Sequence, residues 1–176
     1  MIPNNAQTLA SLTPLGRAKL AIETFPQFIV SPFAGGGPSE FAAAAATRDD
    51  ALSTLAGLGI LAIGVDGKLM GVDEPSLLVS SFGFGNELSQ AVLAAVALGL
   101  GVAWQQKSIL TVAQHEGRLV AELSYLNPEG NEKTLGEWVR VEADEAKAGD
   151  AYTHEPITGR YWIARPIVAV AKAAGE

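Results

Sequence analysis

The chain has no cysteine, which excludes disulfides, thiolate metal sites, iron–sulfur ligation and a cysteine nucleophile together. Histidine occurs only at His115 and His154, with no His-x-x-x-His spacing, so a zinc site would need carboxylates to complete it. The two read as turn histidines, and Asp144, Glu145 and Asp150 are the acids that could hold a hard cation. Neither a catalytic set nor a cofactor or metal motif is complete. Basic residues are also scarce, 12 against 19 acidic ones for a formal net charge of −7. That balance repels phosphate backbones at long range and argues against nucleic-acid binding.

Long hydrophobic runs are missing too. The longest, Ala91 to Trp104, falls short of the roughly 20 residues that span a bilayer and reads as a buried helix, so no membrane partner is expected. Met1-Ile2-Pro3-Asn4-Asn5 lacks a basic segment followed by an apolar stretch, the pattern of a secretory leader. The expected location is the cytoplasm, that of a host cell or a virion if the chain is phage-encoded.

What is present supports folding. Of 176 residues, 48% are hydrophobic and 18% charged, the opposite of the balance that leaves chains disordered. We expect a flexible arm over 1–13, one domain over 14–166 and a tail over 167–176. Pro14 opens a short helix that Pro26 closes, and Phe28-Ile29-Val30 makes a first strand. A helix then runs from Ser39 or Glu40 through five alanines to Gly57, as one piece or as two pieces meeting near Thr47.

Ile60 to Val65 reads as a strand, with Asp66-Gly67 as a hairpin turn and Glu74-Pro75 as a break before the strand Ser76 to Ser80. A helix from Glu87 to about Leu98 leads to the strand Ser108 to Val112, and His115 to Arg118 turns it into a second hairpin with Leu119 to Leu123. Weaker strands fall at Trp138 to Val141 and Tyr161 to Ile163. The expected class is α+β, a single domain whose mixed or mostly antiparallel sheet is built from hairpins and carries two or three packed helices.

Glu74 and Ser76 form the sharpest local feature, a carboxylate and a hydroxyl two residues apart and so on one strand face. Glu74 could orient Arg48 or Lys68; alternatively it pins a hairpin while Ser76 satisfies a backbone group. No Gly-x-Ser-x-Gly elbow surrounds Ser76. Gly35-Gly36-Gly37 lacks the Gly-Lys-Ser/Thr ending of a phosphate loop, and Pro38 removes a donor. Phe82 and Phe84 face the core or anchor a partner. The segment from Tyr152 and His154 to Arg160, Tyr161 and Trp162 mixes hydroxyl, imidazole, guanidinium and aromatic groups, which suits a contact surface, a small pocket or a peripheral strand pair.

The run Arg48-Asp49-Asp50-Ala51-Leu52-Ser53-Thr54-Leu55, with Leu58-Gly59, Val65-Asp66-Gly67, Gly71, Glu74-Pro75-Ser76-Leu77-Leu78-Val79 and Gln106-Lys107-Ser108-Ile109, resembles a family of small uncharacterised bacterial and bacteriophage proteins. The chain departs from that pattern in its triple glycine and alanine run, where family members are more polar. The resemblance implies a fold and a phage association and no settled activity. Two functions are therefore expected side by side. One is a non-enzymatic, phage-associated interaction protein that self-associates or binds a protein partner through Phe82, Phe84, Tyr152, Tyr161 and Trp162. The other is a nucleotide or small-molecule binder or enzyme whose polar site gathers Arg48, Glu74, Ser76, His154 and Arg160.

Overall fold

Eight short strands each send alternate side chains to one face, and the chain buries that face by rolling its sheet closed. The computed structural model describes residues 5–81, 87–127 and 129–167. The elements in chain order are α1 (Asn5–Ser11), α2 (Pro14–Glu23), β1 (Gln27–Val30), α3 (Pro38–Gly57), β2 (Ala62–Leu69), β3 (Val72–Ser80) and α4 (Glu87–Ala103). There follow β4 (Ser108–His115), β5 (Arg118–Tyr125), β6 (Glu132–Val141), α5 (Ala143–Ala148), β7 (Tyr152–Glu155) and β8 (Arg160–Arg165). The strands form a closed barrel in the order β1-β3-β2-β7-β8-β6-β5-β4. Every pairing is antiparallel, and β1 closes the ring on β4.

The domain is thus α+β with an antiparallel sheet, as the hairpin pattern predicts, and closure is the feature that pattern does not contain. Ile29, Ile63, Val65, Leu78, Val112, Ala121 and Trp138 point inward and pack together. The adjacent, outward positions Phe28, Val30, Leu77 and Val79 pack instead beneath Leu55 of α3 and Leu93 and Ala97 of α4. One end of the barrel is plugged by α2, whose Ala18, Ala21 and Ile22 join the interior cluster together with Leu9 of α1. Residues 5–11, read from sequence as part of an arm, are therefore helical and send Leu9 into the core. Buried Gln27 secures the plug by donating from Nε2 to the Ala21 carbonyl at 3.0 Å.

Three expectations need correction. Asp66-Gly67 is not a hairpin turn: both residues lie within β2, and the chain reverses at Met70-Gly71, with φ of 52° and 80°. Two consecutive positive φ values are those of a type I′ turn, whose twist matches paired strands. Glu74-Pro75 does not break the chain either, since both belong to β3. Pro75 is tolerated because β1 pairs only as far as Leu77, so no ladder partner waits for the missing N–H. The third correction concerns α4, which continues to Ala103, past Gly99 and Gly101. The helix over 38–57 is one piece, and Thr47 donates its hydroxyl to the Ala43 carbonyl within it.

Candidate functional site

The barrel end opposite the α2 plug is open. A cavity of about 730 Å³ enters there between the β2–β3 turn, the start of β4, the end of β5 and the start of β6. Its walls are Leu110, Leu123 and Leu135, with Trp138 and Ser76 deeper among them. Such a volume lies within the range of small-molecule sites, and an eight-stranded barrel is wide enough to hold one small ligand.

Glu74 reaches this cavity because of register. It stands opposite Gly67 on β2, and Gly67 stands opposite Thr153 on β7. Glu74, Thr153 and, two residues along β3, Ser76 thus share the inner face, and all three line the cavity. Gly67 places no side chain between the carboxylate and the Thr153 hydroxyl. Among the described residues the Glu74 carboxylate has no hydrogen bond and no ion pair. Burial alone pushes its pKa up from 4.5 to about 7.

The remaining charged groups around the cavity are Lys68, Lys107 and Lys133. Lys107 and Lys133 are exposed at its lip. Tyr125 supplies a phenol, and Tyr152 borders the opening with its ring on the outer side, where burial followed by the nearby Asp73 charge raises its pKa.

The raised pKa of Glu74 fixes a pH dependence. Between pH 4.5 and about 7 the folded chain retains a proton that the unfolded chain has released, so this group's contribution is whole below pH 4.5 and is lost as pH rises through 7. Taken at face value the shift corresponds to about 3 kcal/mol, which water in the open cavity reduces to about 1–2 kcal/mol. Glu74→Gln is expected to flatten stability between pH 5 and 8 and to exceed the wild type at pH 8. Denaturant titrations at several pH values check this; an unchanged slope would show that Glu74 is not buried as described.

The other site candidates do not join Glu74. Arg48 lies outside the barrel, its guanidinium across Gly64 of β2, where it pairs with Asp49 at 3.0 Å and Asp66 at 3.5 Å. His154 also faces outward: Nδ1 is 3.9 Å from Asp66 and the ring stacks on Tyr161 at 4.2 Å. Arg48 and His154 therefore share Asp66 and fasten α3 and β7 to β2. Arg160 serves the plugged end, pairing with Glu23 of α2 at 2.8 Å. The single polar site expected from Arg48, Glu74, His154 and Arg160 is not formed, because alternation sends Glu74 inward and His154 outward, and α3 carries Arg48 on the outside of the barrel.

Among the aromatic contact candidates, Tyr152 and Tyr161 meet edge to face at 5.7 Å on the outer wall. Trp162 instead turns inward and stacks on Trp138 at 6.3 Å. Phe82 and Phe84 lie outside the described residues. Glu145 pairs with Arg165, and no group of three or more His, Asp or Glu among the described residues is arranged to hold a metal ion.

Sequence reasoning missed Tyr125, Lys133, Trp138 and Thr153 as site residues. The signal that could have found them is period-2 phase: Tyr125 shares a face with Ala121 and Leu123, and Thr153 sits directly across from Trp162. No helix among the described residues is long and apolar enough to cross a membrane. Comparison with protein-family models and with curated proteins finds no match.

Proposed function

We propose that this protein binds a small amphipathic molecule in the open end of its barrel. The observation that carries this reading is the cavity of about 730 Å³ with leucine and tryptophan walls and, facing into it, a carboxylate that has no partner among the described residues. Proteins fill interior space closely, and a wide apolar lumen left open at one end supports a role in holding a guest. The polar groups set orientation, and the apolar wall supplies most of the affinity. Titration with the neutral dye N-phenyl-1-naphthylamine tests the reading, with dye emission and quenching of Trp138 as signals. Saturable binding at one site is expected; dye that partitions without saturation would count against it.

The expectation of self-association has its own support in α4. This helix carries no charged residue from Gln90 to its end, and its outer face exposes Val92 at 46%, Leu98 at 40% and Val102 at 65%. A helix apolar on all sides is ordinarily covered. A second copy of this chain is the partner that fits: two copies carrying −7 each repel everywhere except at an uncharged face, and Ala91, Ala95 and Gly99 on that face let two helices approach closely. The expected result is a dimer in sedimentation velocity that Leu98→Lys with Val102→Lys converts to monomer. A wild type that stays monomeric at high micromolar concentration would remove this second reading.

A further inference from the structure

We propose that the lumen selects an organic amine, its ammonium group paired with the Glu74 carboxylate and its apolar body lying along Leu110, Leu123, Leu135 and Trp138. The inference rests on the lumen reading and adds the chemistry of the guest. Its basis is the uncompensated state of Glu74. A carboxylate withdrawn from water ordinarily finds a cation or several N–H donors, since leaving it unpaired is costly, and Glu74 is half-buried in an apolar wall. Buried Glu155 shows the usual solution in this same chain: fully buried, it accepts from the backbone N–H groups of Ile157, at 2.9 Å, and Thr158. Among the described residues Glu74 has no such donors, and Gly67 opposite leaves it open toward the cavity.

The neighbouring groups fit an ammonium ion. It brings three N–H donors, and the inner face offers the Glu74 carboxylate and Ser76 hydroxyl of β3 and, across the bare Gly67 of β2, the Thr153 hydroxyl of β7 as acceptors. The indole of Trp138 and the phenol of Tyr125 line the same space, and aromatic faces also favour a cation. The alternative guest is an anionic amphiphile held by Lys107 and Lys133. Those lysines are exposed, where water and salt weaken the attraction, whereas Glu74 acts from within the apolar wall. Pairing also expels the proton that Glu74 holds below pH 7: the ammonium enters charged, the carboxyl ionises, and one proton leaves for solvent.

The test is calorimetry on the full chain at pH 6 and 7 with three probes sharing one alkyl body: hexylamine, hexan-1-ol and hexanoate. Hexylamine is expected to bind about 10-fold or more tighter than hexanol, with hexanoate weakest. Amine binding at pH 6 should release close to one proton, seen by comparing two buffers of different ionisation enthalpy, and hexanol none. Glu74→Gln should bring amine and alcohol to within about twofold and abolish proton release. Should that variant fold poorly, Ser76→Ala with Thr153→Val serves instead, lowering amine affinity more than hexanol affinity. Equal binding of amine and alcohol by the wild type, or tighter binding of hexanoate, overturns the amine inference and leaves the lumen reading standing. Failure of all three probes together with the neutral dye overturns the lumen reading itself.

Discussion

Gly136→Ala is expected to destabilise the protein more than any other single methyl addition to a described glycine, by about 4 kcal/mol. Gly136 has φ of +146°, and a Cβ built there would lie 1.9 Å from the carbonyl oxygen of Arg165 and 2.5 Å from its carbon. Both obstacles are backbone, so no rotamer change relieves them. The conformation alone costs an L-residue about 1–3 kcal/mol, and removing the overlap means drawing the end of β8 away from β6. That parting starts at the pair Glu137 and Arg165, on one of the seams that keep the barrel closed.

Gly136 also lies beside the register shift that follows Ala121 on β5, where extra local twist bends β6 around the barrel. For a chain of this size the loss corresponds to a fall in Tm of about 10 °C. Gly99→Ala is the matched control: the same methyl meets nothing within 4 Å on α4 and should stabilise the helix by up to about 1 kcal/mol. If thermal melts place the two variants within about 1 kcal/mol of each other, β6 does not pass Gly136 as closely as described.

The contrast between these glycines shows what local sequence signals contain. Asp66-Gly67 is a stronger hairpin signal than Met70-Gly71, because methionine at positive φ is unfavourable and Asp-Gly is not. The buried faces decide otherwise. Val65 and Ser76 are both inward and directly opposite, and a reversal at Asp66-Gly67 would leave no strand to carry that pairing. Tertiary register overrode turn propensity at that point. Likewise Gly99 and Gly101 read as a helix end, yet α4 continues. A side chain at Gly101 would meet Leu126 at 2.7 Å and Ile109 at 3.0 Å, so this glycine permits close packing of the helix on the barrel and does not terminate it.

The candidate site was legible only in its local part. Glu74 and Ser76 share a face because they are two residues apart, and that much follows from strand geometry. Their association with Thr153, Trp138 and Tyr125 depends on β5, β6 and β7 being carried round a closed ring, which no short window of sequence contains. The grouping of Glu74 with His154 failed by one residue of phase: Asp66, facing His154, points outward, and its neighbour Gly67, facing Thr153, points inward.

Occupying the lumen with side chains should abolish guest binding while the fold persists, and this is the largest functional effect expected. A single tryptophan consumes only part of a cavity of about 730 Å³, so the decisive variant combines two changes. Ser76→Phe raises the floor and Leu123→Trp narrows the entrance. Leu123 is partly buried on the cavity wall, so its larger replacement has open space to enter and avoids the overpacking that a filled core would impose. Ser76 is 4% exposed and stands beside Gly67, where the new ring can lean into the cavity.

Leu123→Trp alone is expected to weaken the dye about 10-fold and the double variant about 100-fold, with each variant keeping a cooperative melt. Each new ring also removes apolar wall from water, at about 25 cal/mol per Å², so the single variant should melt no lower than the wild type. That pairing of results, lost binding with retained stability, separates occupation of the lumen from damage to the barrel. Undiminished dye binding by a folded double variant would place the dye elsewhere. The exposed face of α4 and the smaller groove of about 380 Å³ beside Leu9, Leu52 and Ile60 would then be its possible locations, and the lumen could no longer be the functional site.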